Sequence, residues 1–112
     1  MYPLVYHKTL SPAKWMAYPD HQQILMIANE LNRAGNALRK GALVNAIHAW
    51  ERAFELTDLT VEDPKWSMKL KELLRFRETL GALFLQPDSA ENELLTRTLI
   101  TLNSTACNAV RP

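Results

Sequence analysis

The stretch GALVNAIHAWERAFEL, residues Gly41–Leu56, is the most patterned part of the chain, because its small and bulky side chains recur at helical spacing. Small side chains stand at Ala46, Ala49 and Ala53. Bulky side chains that we expect to point inward stand at Leu43, Ile47, Trp50 and Phe54. Polar side chains that we expect on the outer face stand at His48, Glu51, Arg52 and Glu55. Small residues let two antiparallel helices approach while bulky ones fill the groove between them, so the stretch predicts one helix of a tight hairpin.

Helical spacing continues on both sides and predicts four helices, near residues 20–40, 42–57, 64–85 and 89–106. The first has an apolar stripe at Ile24, Ile27, Ala28, Leu31, Ala34, Gly35 and Leu38. The third has one at Trp66, Leu70, Leu73, Leu74, Leu80, Gly81 and Phe84. The fourth has one at Leu94, Leu95, Leu99, Leu102 and Ala106. A strand is the alternative for the second half of the fourth helix, because threonine and isoleucine are β-branched.

Cap-forming residues mark the predicted helix boundaries. Residues that favour a helix start stand at Ser11, Asp20, Asp63 and Asp88. Asp20 with Gln23, and Asp88 with Glu91, have the spacing of a capping box. Gly41 offers a left-handed residue that ends the first long helix. Residues 58–63 then form the predicted link between two helical hairpins.

The first nineteen residues differ from the rest of the chain. Prolines interrupt any long helix there, and aromatic residues concentrate at Tyr2, Tyr6, Trp15 and Tyr18. We therefore expect an N-terminal arm over residues 1–19 that lies across the helical domain or across a second copy of it. The fold class predicted for residues 20–112 is all-α, a four-helix antiparallel bundle built from two hairpins.

Composition excludes several kinds of protein. The 112 residues carry a formal net charge of +1, so no global charge attracts the chain to nucleic acid or to an anionic membrane. The single cysteine, Cys107, excludes an internal disulfide. The apolar runs are far shorter than the roughly 20 residues that span a bilayer, and the N-terminus lacks signal-peptide features, so we expect a cytoplasmic protein. Acids concentrate in residues 41–63 and bases in residues 64–87, which suits adjacent antiparallel helices.

Residues 31–56 resemble one tetratricopeptide repeat. Leu31, Ala34–Gly35 and Leu38 resemble the pattern of its first helix, and the second helix is matched by Ala46, Trp50 and Ala53. The Gly35–Gly41 spacing is one residue shorter than in that family, and no proline follows Leu56. The same alternation also looks like the central hairpin of small nucleotidyltransferase-partner bundles, whose ribonuclease members carry an arginine and histidine pair that this chain lacks. A generic helical hairpin is the third interpretation.

We find no motif for catalysis. His7, His21 and His48 are scattered without metal-ligand spacing, and Glu51 and Glu55 lack a facing Glu-x-x-His partner. The sequence contains no phosphate-binding glycine loop and no nucleophile elbow. We therefore predict a protein that is not an enzyme and uses no metal or cofactor.

One polar stripe is the candidate binding site. It lies on the first long helix at Asn29, Asn32, Asn36 and Arg39. Asparagine is a poor helix former, so three in line are locally unfavourable. In the repeat proteins that residues 31–56 resemble, this face contacts an extended peptide, and Asn36 follows Gly35 as the groove asparagine does there. A solvated helix face is the alternative.

These patterns predict a non-catalytic helical interaction module: an adaptor, chaperone or self-associating subunit. The alternative is a nucleic-acid-associated bundle that uses Lys65, Lys69, Lys71, Arg75 and Arg39. We expect a homodimer formed by the arm or the third helix, because Phe76 and Leu83 widen the apolar face of that helix beyond one neighbour. A monomer whose arm covers its own third helix is the competing expectation.

Overall fold

The computed structural model describes His7 and residues 9–103. Every regular element in this part of the chain is a helix, which confirms the all-α fold class. The α-helices are α1 (Pro12–Met16), α2 (Asp20–Arg39), α3 (Leu43–Val61), α4 (Leu70–Leu85) and α5 (Ser89–Ile100). A 3₁₀ helix over Pro64–Lys69 leads directly into α4.

Three of the predicted caps are confirmed. The Ser11 hydroxyl accepts a hydrogen bond from the backbone N–H of Lys14 at 3.2 Å. The Asp63 carboxylate caps the 3₁₀ helix by accepting from Lys65 N at 3.1 Å. Asp88 Oδ1 accepts from two backbone N–H groups at the start of α5, at 2.8 and 3.1 Å. Each cap satisfies a backbone donor that the first helical turn leaves unpaired.

The turn between α2 and α3 depends on glycine. Gly41 has φ +72°, a left-handed conformation that favours glycine. The N–H of Ala42 donates to Ala37 O at 2.8 Å, and the N–H of Gly41 donates to Leu38 O at 3.1 Å. This bonding pattern is a Schellman motif, which ends α2 where Gly41 predicted its end.

The predicted capping box at the start of α2 is wrong. The residue that precedes the helix is Pro19, and it makes no side-chain cap bond. The Asp20 carboxylate accepts from the N–H of His21 at 2.7 Å. Gln23 is fully buried and bonds to other parts of the chain, so it does not reach back to the helix start.

Three helix boundaries in the structure also differ from the predicted ones. The six-residue link before the third helix is largely absent, because α3 continues to Val61 with Leu59 and Thr60 buried against the core. The predicted third helix is split into a 3₁₀ segment and α4. The fourth ends at Ile100 rather than continuing to 106, although no strand replaces it in the described residues; Ala106 and Cys107 lie outside them.

The core lies where four helices meet: α2 packs against α3 and α5, and α4 packs against α3 and α5. Ala46, Ala49 and Ala53 are buried, as expected for residues that let α2 and α3 approach. Trp50 is fully buried, which confirms its predicted place in the core. The Phe84 ring centroid lies 6.0 Å from that of Trp50 and 5.2 Å from that of Phe54.

Several side chains predicted to be inward are not. Leu43, at the first turn of α3, is 47% exposed. Leu70 and Leu74 of α4 and Leu94 of α5 are exposed as well. Leu74 and Leu94 each follow or precede a buried leucine, Leu73 and Leu95, which contacts the core in their place.

The described part of the N-terminal segment packs on its own chain. Trp15 is fully buried, and its indole N–H donates to the Thr60 hydroxyl of α3 at 3.1 Å. His7 Nδ1 lies 2.8 Å from Glu55 Oε1, also on α3. Trp15 therefore offers no area to a second copy, contrary to part of the basis for the expected dimer. Tyr2 and Tyr6 lie outside the described residues.

Opposite charges meet between α3 and α4, as the charge distribution predicted. Arg77 Nε donates to Asp58 Oδ1 at 2.6 Å, and the guanidinium lies 5.4 Å from the centre of the Phe54 ring. The Phe54 ring also lies near the backbone of α4 at Gly81, where a Cβ would be 3.6 Å from Phe54 Cζ, an ordinary contact distance. The contacts of Arg77 help to fix α4 against α3.

Candidate interaction surfaces

The predicted polar stripe lies on the exposed face of α2. Asn29, Asn32, Asn36 and Arg39 are all exposed. The Arg39 guanidinium donates to Asn36 Oδ1 one turn earlier on the helix. The Asn36 side chain is therefore held by its own helix.

A polar cleft of about 230 Å³ runs between α2 and α5 beside this stripe. Asn32 and Arg39 line it from α2, and Glu93 and Arg97 line it from α5. Glu93 and Arg97 pair with each other at 2.7 Å and are largely exposed. The structure thus brings two of the four predicted residues to one cleft; Asn29 and Asn36 are outside its lining.

The floor of the polar cleft is Asn92, which sequence reasoning did not single out. Its Oδ1 accepts from Trp50 Nε1 at 2.8 Å, and its Nδ2 donates to Leu31 O at 2.9 Å. One buried amide thereby joins α5 to both α2 and α3. Gly35 makes room for it, because a Cβ on Gly35 would lie 3.2 Å from Asn92 Nδ2. The sequence does contain a sign that Asn92 is buried: it stands on the same helix face as Leu95 and Leu99. A polar residue on a buried face needs a hydrogen-bond partner.

A second buried amide, Gln23, organises the other end of the domain. Its Nε2 donates to Trp15 O at 2.8 Å and to Asp63 Oδ2 at 3.0 Å, and its Oε1 accepts from Trp66 Nε1 at 2.7 Å. The chain's three tryptophan indoles are therefore all hydrogen-bonded. Among the described residues, no buried side-chain polar atom lacks a partner. These two networks hold helices together and leave no buried group for a ligand.

The environment of Asp63 lowers the pKa of its carboxyl. Burial raises this pKa, but hydrogen bonds from Gln23 and Lys65 and the charge of Lys65 together outweigh burial. The Lys65 ammonium lies 2.7 Å from Asp63 Oδ2 and also donates to Met16 O and Tyr18 O at 2.9 and 3.1 Å. The ionised Asp63 is thus part of the structure that joins α1, α2 and the 3₁₀ helix.

An apolar groove of about 360 Å³ runs between α4 and α5. Phe76, Leu95 and Leu99 are buried and form its floor, and Leu94 stands on its α5 side. Leu94 is 57% exposed. Phe76 and Leu83, which were expected to widen the exposed apolar face of the third helix, are instead buried within the chain. The exposed apolar side chain at the groove is Leu94.

Both signs of charge border the apolar groove. Glu72 and Arg75 line it from α4, and Glu91 lines it from α5. No ion pair joins any of these three to another residue in the described part of the chain. By contrast, Arg77 on the neighbouring face of α4 pairs with Asp58. The groove therefore has an apolar floor and charged borders that are not neutralised within the described residues.

The basic residues proposed to bind nucleic acid do not share one surface. Some bond to the chain's own acceptors, and others lie on different helices. Lys65 bonds to Asp63 and two backbone carbonyls. The Lys69 ammonium donates to Leu102 O. Arg75 lies at the apolar groove, and Arg39 lies at the polar cleft on α2. Lys71 is exposed one turn before Arg75 on α4. With Lys65 and Lys69 bonded to the chain and Arg39 on α2, the five residues do not form one continuous basic surface of the kind that follows a phosphate backbone.

No group of three or more His, Cys, Asp or Glu side chains in the described residues is placed to hold a metal ion. In the same residues, no helix is both long and apolar enough to cross a membrane. No protein-family model, curated protein or solved structure matches the chain. The resemblance of residues 31–56 to a tetratricopeptide repeat therefore stays a prediction from the residues alone.

Proposed function

We propose that the protein is a non-catalytic, cytoplasmic interaction module, an adaptor, chaperone or self-associating subunit, whose four long helices form an antiparallel bundle of two hairpins. The contacts of α2 with α3 and of α4 with α5 support this arrangement, and α5 also packs on α2. Both surfaces described above border α5. The polar cleft lies between the two hairpins and the apolar groove lies within the second, so the module would contact its partners on two sides of α5.

The observation that carries the proposal is the apolar groove between α4 and α5. A helix that serves only its own core exposes charged or polar residues on its outer face. Here Leu94 is exposed beside a groove whose floor is Phe76, Leu95 and Leu99. Apolar surface with polar borders is typical of protein–protein contact sites. A partner that fills the groove removes this apolar area from water.

The polar stripe on α2 is the second contact surface of the proposed module. Asn32 and Arg39 line the polar cleft, where an amide can bond to the backbone of an extended peptide and a guanidinium can bind a carboxylate. Asn36 positions Arg39 by accepting its hydrogen bond, and Asn29 continues the stripe toward the start of α2. This surface would select among partners, because each polar contact has a defined geometry.

Site-specific photo-crosslinking in the source cell tests the proposed function. A crosslinking residue in place of Leu94, at the border of the apolar groove, should give protein adducts of discrete mass. The matched control replaces Leu85, which is apolar and 86% exposed but does not line the groove. Adducts at neither position, or equal adducts at both, would contradict a dedicated contact surface at the groove.

A salt titration separates this function from the nucleic-acid alternative. Binding through phosphate contacts falls steeply with salt, with a log–log slope close to the number of contacts. We expect no oligonucleotide binding at low salt, because Lys65 and Lys69 are already bonded to the chain's own acceptors. Micromolar binding with a steep slope would instead favour the alternative.

A further inference from the structure

We propose that two copies of the chain associate through the apolar groove between α4 and α5, with Leu94 of each copy inserted into the groove of the other. The inference rests on the proposed function, since it names the partner of the same surface. It differs from the dimer expected from the sequence, because Trp15 and Phe76 are buried in their own chain and the contact surface here is formed by α5.

The groove has the shape that a two-fold contact requires. In an isologous interface the same patch serves both partners, so it must present both a projecting side chain and the space that receives it. Leu94 projects from α5 at the border of the groove, and the floor of Phe76, Leu95 and Leu99 lies beside it. One patch therefore offers both parts. A site for an unrelated helix needs only the groove and gains nothing from exposing a leucine at its border.

The charges around the groove favour the same occupant. Arg75 lines the groove from α4, one turn after Glu72, and Glu91 lines it from α5; none of the three has an ion-pair partner among the described residues. In a two-fold arrangement Arg75 of each copy can meet Glu91 of the other, so one substitution alters two contacts. A uniformly acidic or uniformly basic partner would instead meet a like charge at one border, which disfavours it.

Sedimentation equilibrium of the purified chain tests the association. Between about 1 µM and 1 mM, the range in which weak interfaces dissociate, the mass should rise from near 12.8 kDa toward twice that value. Leu94→Glu should hold the mass near one chain throughout. Leu85→Glu introduces the same charge on an exposed leucine outside the groove and should associate like the wild type. Both leucines are largely exposed, so unchanged thermal unfolding should confirm that the variants fold.

A charge exchange tests the proposed contact itself. Arg75→Glu alone and Glu91→Arg alone should each weaken association about tenfold or more, because each places like charges together at two symmetric sites. The double variant restores opposite charges and should recover most of the wild-type affinity. A double variant that associates no better than either single variant would overturn the interface.

Other possible occupants of the apolar groove would give different results in these experiments. A wild-type mass that stays near one chain at every concentration overturns the homodimer. So does a photo-crosslink from position 94 of the purified protein to residues 104–112 of its own chain, identified by mass spectrometry. If the purified chain is a monomer but position 94 captures a different protein in the cell, the homodimer is wrong and the interaction module remains.

Discussion

Trp50 Nε1 donates a hydrogen bond to Asn92 Oδ1 across 2.8 Å, and both side chains are buried. The bond links the middle of α3 to the first turn of α5, and the amide of Asn92 continues it to Leu31 O on α2. Three helices from both halves of the chain therefore meet at one side chain. This contact is one of those that hold the second hairpin on the first, beside the packing of α5 on α2 and of α4 on α3.

The first prediction concerns this bond. Asn92→Leu keeps the volume but leaves the Trp50 indole N–H without an acceptor, so unfolding should require about 1–3 kcal/mol less free energy. Chemical denaturation measures the loss. Trp50→Phe in the same background removes the orphaned donor, and the double variant should lose less than the two single losses combined. Additive losses would mean that the bond contributes little.

The second prediction compares two apolar residues of α3. Trp50→Ala should lower the free energy of unfolding by about 3–5 kcal/mol, because it opens a large cavity in the core. Leu43→Ala, at a position that is 47% exposed, should change it by less than about 1 kcal/mol. A loss under about 1 kcal/mol for Trp50→Ala would place this side chain at the surface.

The third prediction compares two helical glycines. Alanine favours a helix interior over glycine by about 0.5–1 kcal/mol. Gly81→Ala should gain this stability, because the new Cβ would make ordinary contact with Phe54 at 3.6 Å. Gly35→Ala should destabilise instead, since its Cβ would lie 3.2 Å from Asn92 Nδ2 and the amide is held by two hydrogen bonds. Thermal unfolding of both variants tests the contrast; a gain at Gly35 would show that Asn92 can move at little cost.

The fourth prediction concerns acid. The folded-state pKa of Asp63 is lowered from its ordinary value of 3.8 because bonds from Gln23 and Lys65 outweigh the effect of burial. The stability that the ionised group contributes is therefore fully present above this value and is lost as the pH falls through the folded pKa. Asp63→Asn should lower the free energy of unfolding more at pH 7 than at pH 3. Chemical denaturation of the variant and the wild type at both pH values measures the two losses.

The control for this experiment is Glu78→Gln, at an exposed acid of α4. Its free energy of unfolding should stay within about 0.5 kcal/mol of the wild type at neutral pH. If the difference between Asp63→Asn and wild type does not shrink on acidification, Asp63 is not the carboxylate that stabilises this end of the domain.

Local sequence patterns specify the helices and most of their ends. Periodic apolar residues, the caps at Ser11, Asp63 and Asp88, and the left-handed Gly41 act within a few residues of chain, so a linear pattern contains them. It also placed Trp50 in the core. The polar stripe on α2 could be located on an exposed face in the same way.

Tertiary packing sets which of two neighbouring apolar residues is buried and which amides join helices, and neither can be read from local sequence. Leu94 and Leu95 are adjacent and equally apolar, yet only Leu95 is buried, because the position of α4 determines which side of α5 is covered. Gln23 fits a helix cap by local spacing but bonds to Trp66 and Asp63, 43 and 40 residues away. Such contacts depend on how helices pack, and packing is set by the whole chain rather than by any one segment of it.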